Sequence, residues 1–139
     1  MAGVVGTSET AIWEQDGQYL AMTADGAVTL GTVVKIGSSD SSVATATTGA
    51  ATVVGVAVAG YRTSRTATDN QVASGNKVTV ATRGVVVVTA GDAITRGALV
   101  QAGDAGLVTV LTAAVSNVIG MALDSATSGA TVRVKLFRG

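Results

Sequence analysis

The chain repeats itself, and this repeat limits what it can be more than any reactive residue does. Gly31-Thr32-Val33-Val34-Lys35-Ile36-Gly37 returns 66 residues later as Gly97-Ala98-Leu99-Val100-Gln101-Ala102-Gly103. Val53-Val54-Gly55-Val56-Ala57-Val58 returns 65 residues later as Val118-Ile119-Gly120-Met121-Ala122-Leu123. Ala73-Ser74-Gly75-Asn76-Lys77-Val78-Thr79-Val80-Ala81 returns 54 residues later as Thr127-Ser128-Gly129-Ala130-Thr131-Val132-Arg133-Val134-Lys135. The endings also match, Arg83-Gly84 against Arg138-Gly139. The fall in spacing from 65 to 54 places an insertion of about eleven residues in the first copy, over residues 60–71. The repeat units span about 26–84 and 91–139 within a single β-domain of residues 19–139, and residues 1–18 stand outside as an N-terminal arm. A duplicated strand unit has no evident seat for a catalytic centre and points to a scaffold.

Composition narrows the chemistry. The 139 residues suffice for one domain with a buried core. Histidine, cysteine and proline are absent. The usual general base, thiolate nucleophile and zinc ligands are therefore missing, as is any disulfide framework. Nine basic and nine acidic residues cancel, so no overall field draws the chain to nucleic acid or to an anionic membrane. The charges are nonetheless uneven: Glu9, Glu14, Asp16 and Asp25 precede Lys35, the first basic residue, while Arg133, Lys135 and Arg138 lie at the end. The apolar residues are mostly valine and alanine, with Trp13, Tyr19, Tyr61 and Phe137 as the aromatics. Small side chains bury little area per residue, at roughly 25 cal/mol per Å², so help from a neighbouring subunit is expected.

Residues 105–123 form an uncharged run of nineteen, long enough to cross a bilayer as a helix. Thr109, Thr112, Ser116 and Asn117 interrupt it, and Leu107-Val108-Thr109-Val110-Leu111 alternates, so two short strands with a polar turn at Ser116-Asn117 explain it better. Residues 1–7 are neither basic nor followed by a hydrophobic region, so no secretory signal is read there, and a soluble protein is expected.

Valine and threonine favour strand, and glycine marks turns and bulges. Asp16-Gly17 and Asp25-Gly26 bracket a strand over 18–24, and residues 27–36 read as one or two strands broken at Gly31. The Ser/Thr/Ala stretch over 41–52 reads as a weak strand, and 53–59 as a short buried one. Gly55 and its repeat Gly120 imply a close approach of another backbone or side chain. Residues 77–81 alternate, 84–88 form a continuous apolar strand, and Asp92 is placed to cap a single helical turn over 93–96. Thr131 to Phe137 closes the chain with Val132, Val134 and Leu136 on one face. The fold class expected is all-β: a compact small β-barrel or β-sandwich built from two duplicated strand units, with at most one or two short helical turns. One such turn is placed over residues 9–15 of the arm, which an extended conformation fits equally well.

No residue set assembles into a catalytic device. Hydroxyls abound without a histidine to activate them, and Lys35 and Lys77 sit in ordinary strands. Asp92, Asp104 and Asp124 lie among small residues in turn-like contexts, where aspartate serves local hydrogen bonding. Neither a calcium loop nor a phosphate-binding glycine loop is present, so no metal and no cofactor are expected. Two segments stand out as contact surfaces. Tyr61, Arg62 and Arg65 lie on the insertion, which reads as an exposed loop suited to a partner protein. Val4, Val5, Ile12 and Trp13 make the arm apolar; Trp13 either anchors it on the domain or docks it on another protein.

From Gly84 onwards the residues carry a resemblance. Gly84-Val85, then Ala90-Gly91-Asp92-Ala93-Ile94-Thr95-Arg96-Gly97-Ala98-Leu99-Val100, resembles the "Gly-Val … Ile-x-x-Gly-Asp-x-Val" segment of the tailed-phage capsid decoration, or head cement, proteins. Asn117-Val118-Ile119-Gly120-Met121-Ala122-Leu123, with Ser128-Gly129-Ala130-Thr131-Val132-Arg133-Val134-Lys135-Leu136, is similar to that family's "Ile-Gly-x-Ala … Gly-x-x-Val-x-Val-x-Leu" ending. The chain departs from the pattern at Ala98, where the family commonly has aspartate, and in the insertion over 60–71. The resemblance implies a β-rich structural protein of the virion, made in the host cytoplasm and often a homotrimer. It implies binding to the major capsid protein on the outside of the expanded head, with no enzymatic activity, no nucleic acid and no membrane. The alternative function is an adhesive or carbohydrate-binding virion surface module using Tyr61, Arg62 and Arg65. A small hydrolase is disfavoured by the missing histidine and cysteine.

Overall fold

The structure, a computed structural model, describes residues 18–50, 52–60, 70–112 and 117–137. In chain order the strands are β1 (Gln18–Ala24), β2 (Val28–Thr29), β3 (Val33–Ile36), β4 (Ser42–Thr45), β5 (Val53–Gly60) and β6 (Gln71–Val72). They continue as β7 (Lys77–Thr89), β8 (Leu99–Ala102), β9 (Val108–Val110), β10 (Gly120–Ala122) and β11 (Thr131–Leu136). A 3-10 turn, Asp104–Gly106, joins β8 to β9, and no α-helix occurs among the described residues. The fold is all-β, as expected, although it is not one clean barrel.

Two rings of five strands share β7. The first runs β1-β4-β3-β5-β7 and closes through the pairing of β1 with β7. The second runs β7-β11-β10-β8-β9 and closes where Ala90, just past β7, bridges Val108 of β9. Residues 77–81 and 84–88, expected as two strands, are one: backbone pairing passes from Gln18↔Arg83 directly to Gly84↔Leu136. Gly84 takes φ of +102° at this handover, a conformation that glycine adopts without strain.

The pairings repeat as the sequence does. Val34↔Thr45 in the first ring becomes Val100↔Val110 in the second, and Val56↔Ala81 becomes Met121↔Lys135. The correspondence reaches back to β1. Ala21↔Thr79 becomes Val87↔Arg133, and the parallel pair Ala24↔Val43 becomes Ala90↔Val108. The second half of β7 is thus the second unit's copy of β1. Val28↔Val72, which lays β2 on β6, becomes the single bridge Ile94↔Ala126. That bridge occupies the place where a helical turn over 93–96 was expected.

Valine fills both rings: the largest fully buried side chains are all valines. The first interior holds Val28, Val34, Val43, Val72, Val78 and Val80. Their counterparts Ile94, Val100, Val108, Val132 and Val134 lie in the second, larger cluster, with Ala126 packed against it. The second cluster also takes in Val33, Val56, Val58 and Ala81 from the outer side of the first ring, so one continuous core joins the units.

Gly55 and Gly120 show why the repeated glycine is needed. A Cβ on Gly55 would fall onto the carbonyl oxygen of Ala81, and one on Gly120 onto that of Lys135. The crossing backbone belongs to the neighbouring strand, β7 or β11, so relief requires the sheet to move. Gly55→Ala and Gly120→Ala are each expected to cost about 1–3 kcal/mol by overpacking. Urea unfolding of the two variants checks this, and equal effects are expected from equivalent positions.

Candidate functional site

The residues singled out on the arm, Val4, Val5, Ile12 and Trp13, lie outside the described residues. So do Tyr61, Arg62 and Arg65 of the insertion. What the structure defines is where these segments join the body. The arm enters at Gln18, which pairs with Arg83. The insertion leaves from Gly60, which pairs with Val78, and the chain returns at Asn70 to β6. Arg83 and Val78 are five residues apart on β7, roughly 17 Å along a strand. The two segments therefore attach at opposite ends of the first ring.

The end that receives the arm is apolar. Tyr19 is 39% exposed, Leu20 46% and Ile36 56%. Leu20 and Ile36 correspond to Val86 and Ala102 of the second unit, each 1% exposed. The mouth of the second ring is thus covered, by the outer side of the first, while among the described residues no second unit covers the mouth of the first ring in the same way. Leu99, at 39%, and Phe137, at 50%, are the other large exposed apolar residues among those described. None of the four aliphatic and phenyl side chains was marked as a contact by the sequence. Strand alternation alone assigns Leu20 and Ile36 to the core, and only ring closure shows that their end of the core is open.

The charged groups do structural work in turns. Asp25 accepts from both the backbone N–H and the hydroxyl of Ser38, each at 2.7 Å, which holds its carboxyl below the usual range. Asp124 and Arg133 form a two-pronged pair: Nε donates to Oδ2 and Nη2 to Oδ1, both at 2.8 Å. The Arg133 backbone N–H adds a third bond at 3.2 Å. This clip sits where the second unit's chain leaves β10 for Ala126. In the first unit Ala59 and Thr79 occupy the same pairing, and the chain makes its longer excursion there instead. Among the described residues no three acidic side chains gather as a metal site. Asp92 stands in a bend and Asp104 opens the 3-10 turn. The arrangement therefore offers surfaces and rims for contact, with the carboxylates of Asp25 and Asp124 committed to local hydrogen bonds.

Comparison with known proteins agrees with this character. A family model described as "Structural cement protein (E217 gp24/Pam3 gp6)" matches residues 1–137. The chain belongs to the phage structural cement protein family. As a member of that family it is a structural component of the virion capsid. No curated protein matches the sequence. Among solved structures, the head fiber gp8.5 N base of bacteriophage phi29 is similar, with a TM-score of 0.66 at 20% identity. The match covers 88% of this chain and 96% of that one, and the likeness is one of fold.

The Asp124–Arg133 clip makes stability depend on pH. The arginine's hydrogen bond, above all, draws the Asp124 carboxyl down to about 2 from 3.8. A carboxylate whose folded-state pKa is depressed stabilises the fold above its unfolded value, near pH 4, and ceases to as pH falls through about 2. Both side chains are more than a third exposed, so solvent screening keeps the effect small. Asp124→Asn is expected to melt at most a few degrees below wild type at pH 6, and the gap is expected to close between pH 4 and pH 2. Thermal melts across that range check it.

Proposed function

We propose that this cement protein binds the outer surface of the expanded phage head as a homotrimer, bridging neighbouring copies of the major capsid protein without enzymatic activity. The observation that carries the reading is the family match, which runs over residues 1–137 and so includes the arm as well as the rings. The arm residues Val4, Val5, Ile12 and Trp13 form the primary capsid contact. Tyr61, Arg62 and Arg65 form a second contact at the opposite end of the first ring. A protein that binds only the assembled lattice stabilises it by mass action, and many copies per shell multiply the effect. Membership of a structural cement family does not favour the glycan-binding alternative.

The test is binding of purified protein to expanded heads, read by co-sedimentation and by the temperature at which the heads release DNA. Wild type is expected to bind and to raise that temperature. Trp13→Ala is expected to weaken binding at least tenfold, the loss of about 1.4 kcal/mol or more typical of a buried interface tryptophan. Deletion of residues 2–17 is expected to abolish binding while the rings still melt cooperatively. Unchanged binding after that deletion sinks the arm's role.

A further inference from the structure

The contact between the two repeat units is one-sided. The first unit contributes the outer side of its ring, where Val33, Val56 and Ala81 pair in a row across β3, β5 and β7, all with no exposure. The second unit contributes the mouth of its ring: Ala102, Gly106, Ile119 and Leu136. Gly49 N–H donates to the Ala102 carbonyl at 2.9 Å. Gly106 is packed so closely that a Cβ there would lie 2.8 Å from the Val33 carbonyl oxygen and 2.9 Å from the Thr32 Cβ. Ile119 and Leu136 line one small cleft with Val53, Val54 and Val56.

A side packed against a mouth uses different patches on the two partners. Among the described residues, each chain therefore leaves one counterpart of each patch without such a partner: the side of its second unit and the mouth of its first. The repeat identifies both. The row Val33–Val56–Ala81 becomes Leu99–Met121–Lys135, paired in the same order across β8, β10 and β11. At the mouth, Val86 and Ala102 become Leu20 and Ile36, while Gly106, Ile119 and Leu136 become Ser41, Val54 and Thr82. The unused side carries larger side chains than its buried counterpart throughout, and the unused mouth does so at Leu20 and Ile36, so the joint is not an exact copy; the apolar residues remain accessible, Leu99 39%, Leu20 46% and Ile36 56%. Gly31 is more closely surrounded than its repeat: its carbonyl accepts from Thr89 N–H at 3.3 Å and a Cβ on it would lie 3.8 Å from the Val87 carbonyl oxygen, whereas a Cβ on its counterpart Gly97 would meet nothing within 4 Å.

We propose that the side of the second unit of one chain packs on the mouth of the first unit of another copy, joining chains head to tail as the units are joined within a chain. The inference rests on the homo-oligomer proposed above and assigns its interface to Leu99 and Met121 on one surface and to Leu20 and Ile36 on the other. Lys135, the counterpart of Ala81, is exposed and pairs with Met121, and a lysine stem can cover apolar surface while its ammonium stays in water.

Native mass spectrometry and light scattering of the full chain test this, with head binding measured in parallel. Wild type is expected to form one closed oligomer, since a heterologous contact that closes gives a ring. Leu99→Glu and Ile36→Glu each bury a lone charge in the interface and are expected to weaken association at least about a hundredfold, giving protomers with unchanged far-UV dichroism. Mixing the two variants is the decisive arm: each retains one intact patch, so an equimolar mixture is expected to form a one-to-one dimer. Should either glutamate variant fail to fold, Leu99→Ser and Ile36→Ser read the same masses. An oligomer of wild-type mass from either folded variant overturns the assignment and leaves the oligomer standing. A wild type that binds heads as a monomer overturns both, and the capsid then covers these patches. Release of protomers by deletion of residues 2–17, with the substitutions silent, gives the open mouth to the arm and overturns the assignment as well.

Discussion

Strand β7 belongs to both units, and the architecture depends on that sharing. Its first half pairs with β1 and β5 to close one ring, and its second half pairs with β11 and leads into the bridge that closes the other. With no loop between the units, their relative placement is held by one continuous backbone, paired with β1 and β5 in its first half and with β11 in its second. That placement brings the mouth of the second ring onto the side of the first, and valine and alanine there bury without exposure. A chain whose core consists of valines gains modestly per residue, so burying the outer side of the first ring against the interior of the second adds to what each ring gains alone.

Much of this was legible in the sequence. The positions of Gly55 and Gly120 announced a close backbone approach, and the structure places a strand carbonyl at each. The inward faces of 78–80 and 132–136 followed from strict alternation, and the membrane-length run over 105–123 resolved into β9 and β10. The kinship of residues 18–24 with 84–90 was harder to see. Thr23-Ala24-Asp25-Gly26 returns as Thr89-Ala90-Gly91-Asp92, but the preceding strand residues share little beyond being compatible with a sheet. Because the last strand of one unit is continuous with the first strand of the next, no turn marks the boundary. Arg83-Gly84 therefore reads as an ending when it is a midpoint.

The open mouth and the bare side were not legible for a different reason. Burial along a single strand follows from alternation, but which end of a ring is capped depends on where another unit lies. Leu20 and Ile36 look like core residues, and in the second unit their counterparts are core residues. The expected helical turn at 93–96 failed through a similar tertiary effect. Ile94 is drawn into a bridge with Ala126, exchanging hydrogen bonds at 2.8 and 2.9 Å, and this outweighs the capping preference of Asp92.

The two units also reach the same pairings with connections of different length. The second crosses from β10 to its closing bridge in a few residues held by Asp124 and Arg133, while the first spends about eleven more between Gly60 and β6. Since the shorter version folds to an equivalent ring, the ring does not draw on the additional residues for its construction. The position is thus one where the scaffold accepts connections of two lengths, and added chain there costs mainly loop entropy, which grows slowly with length.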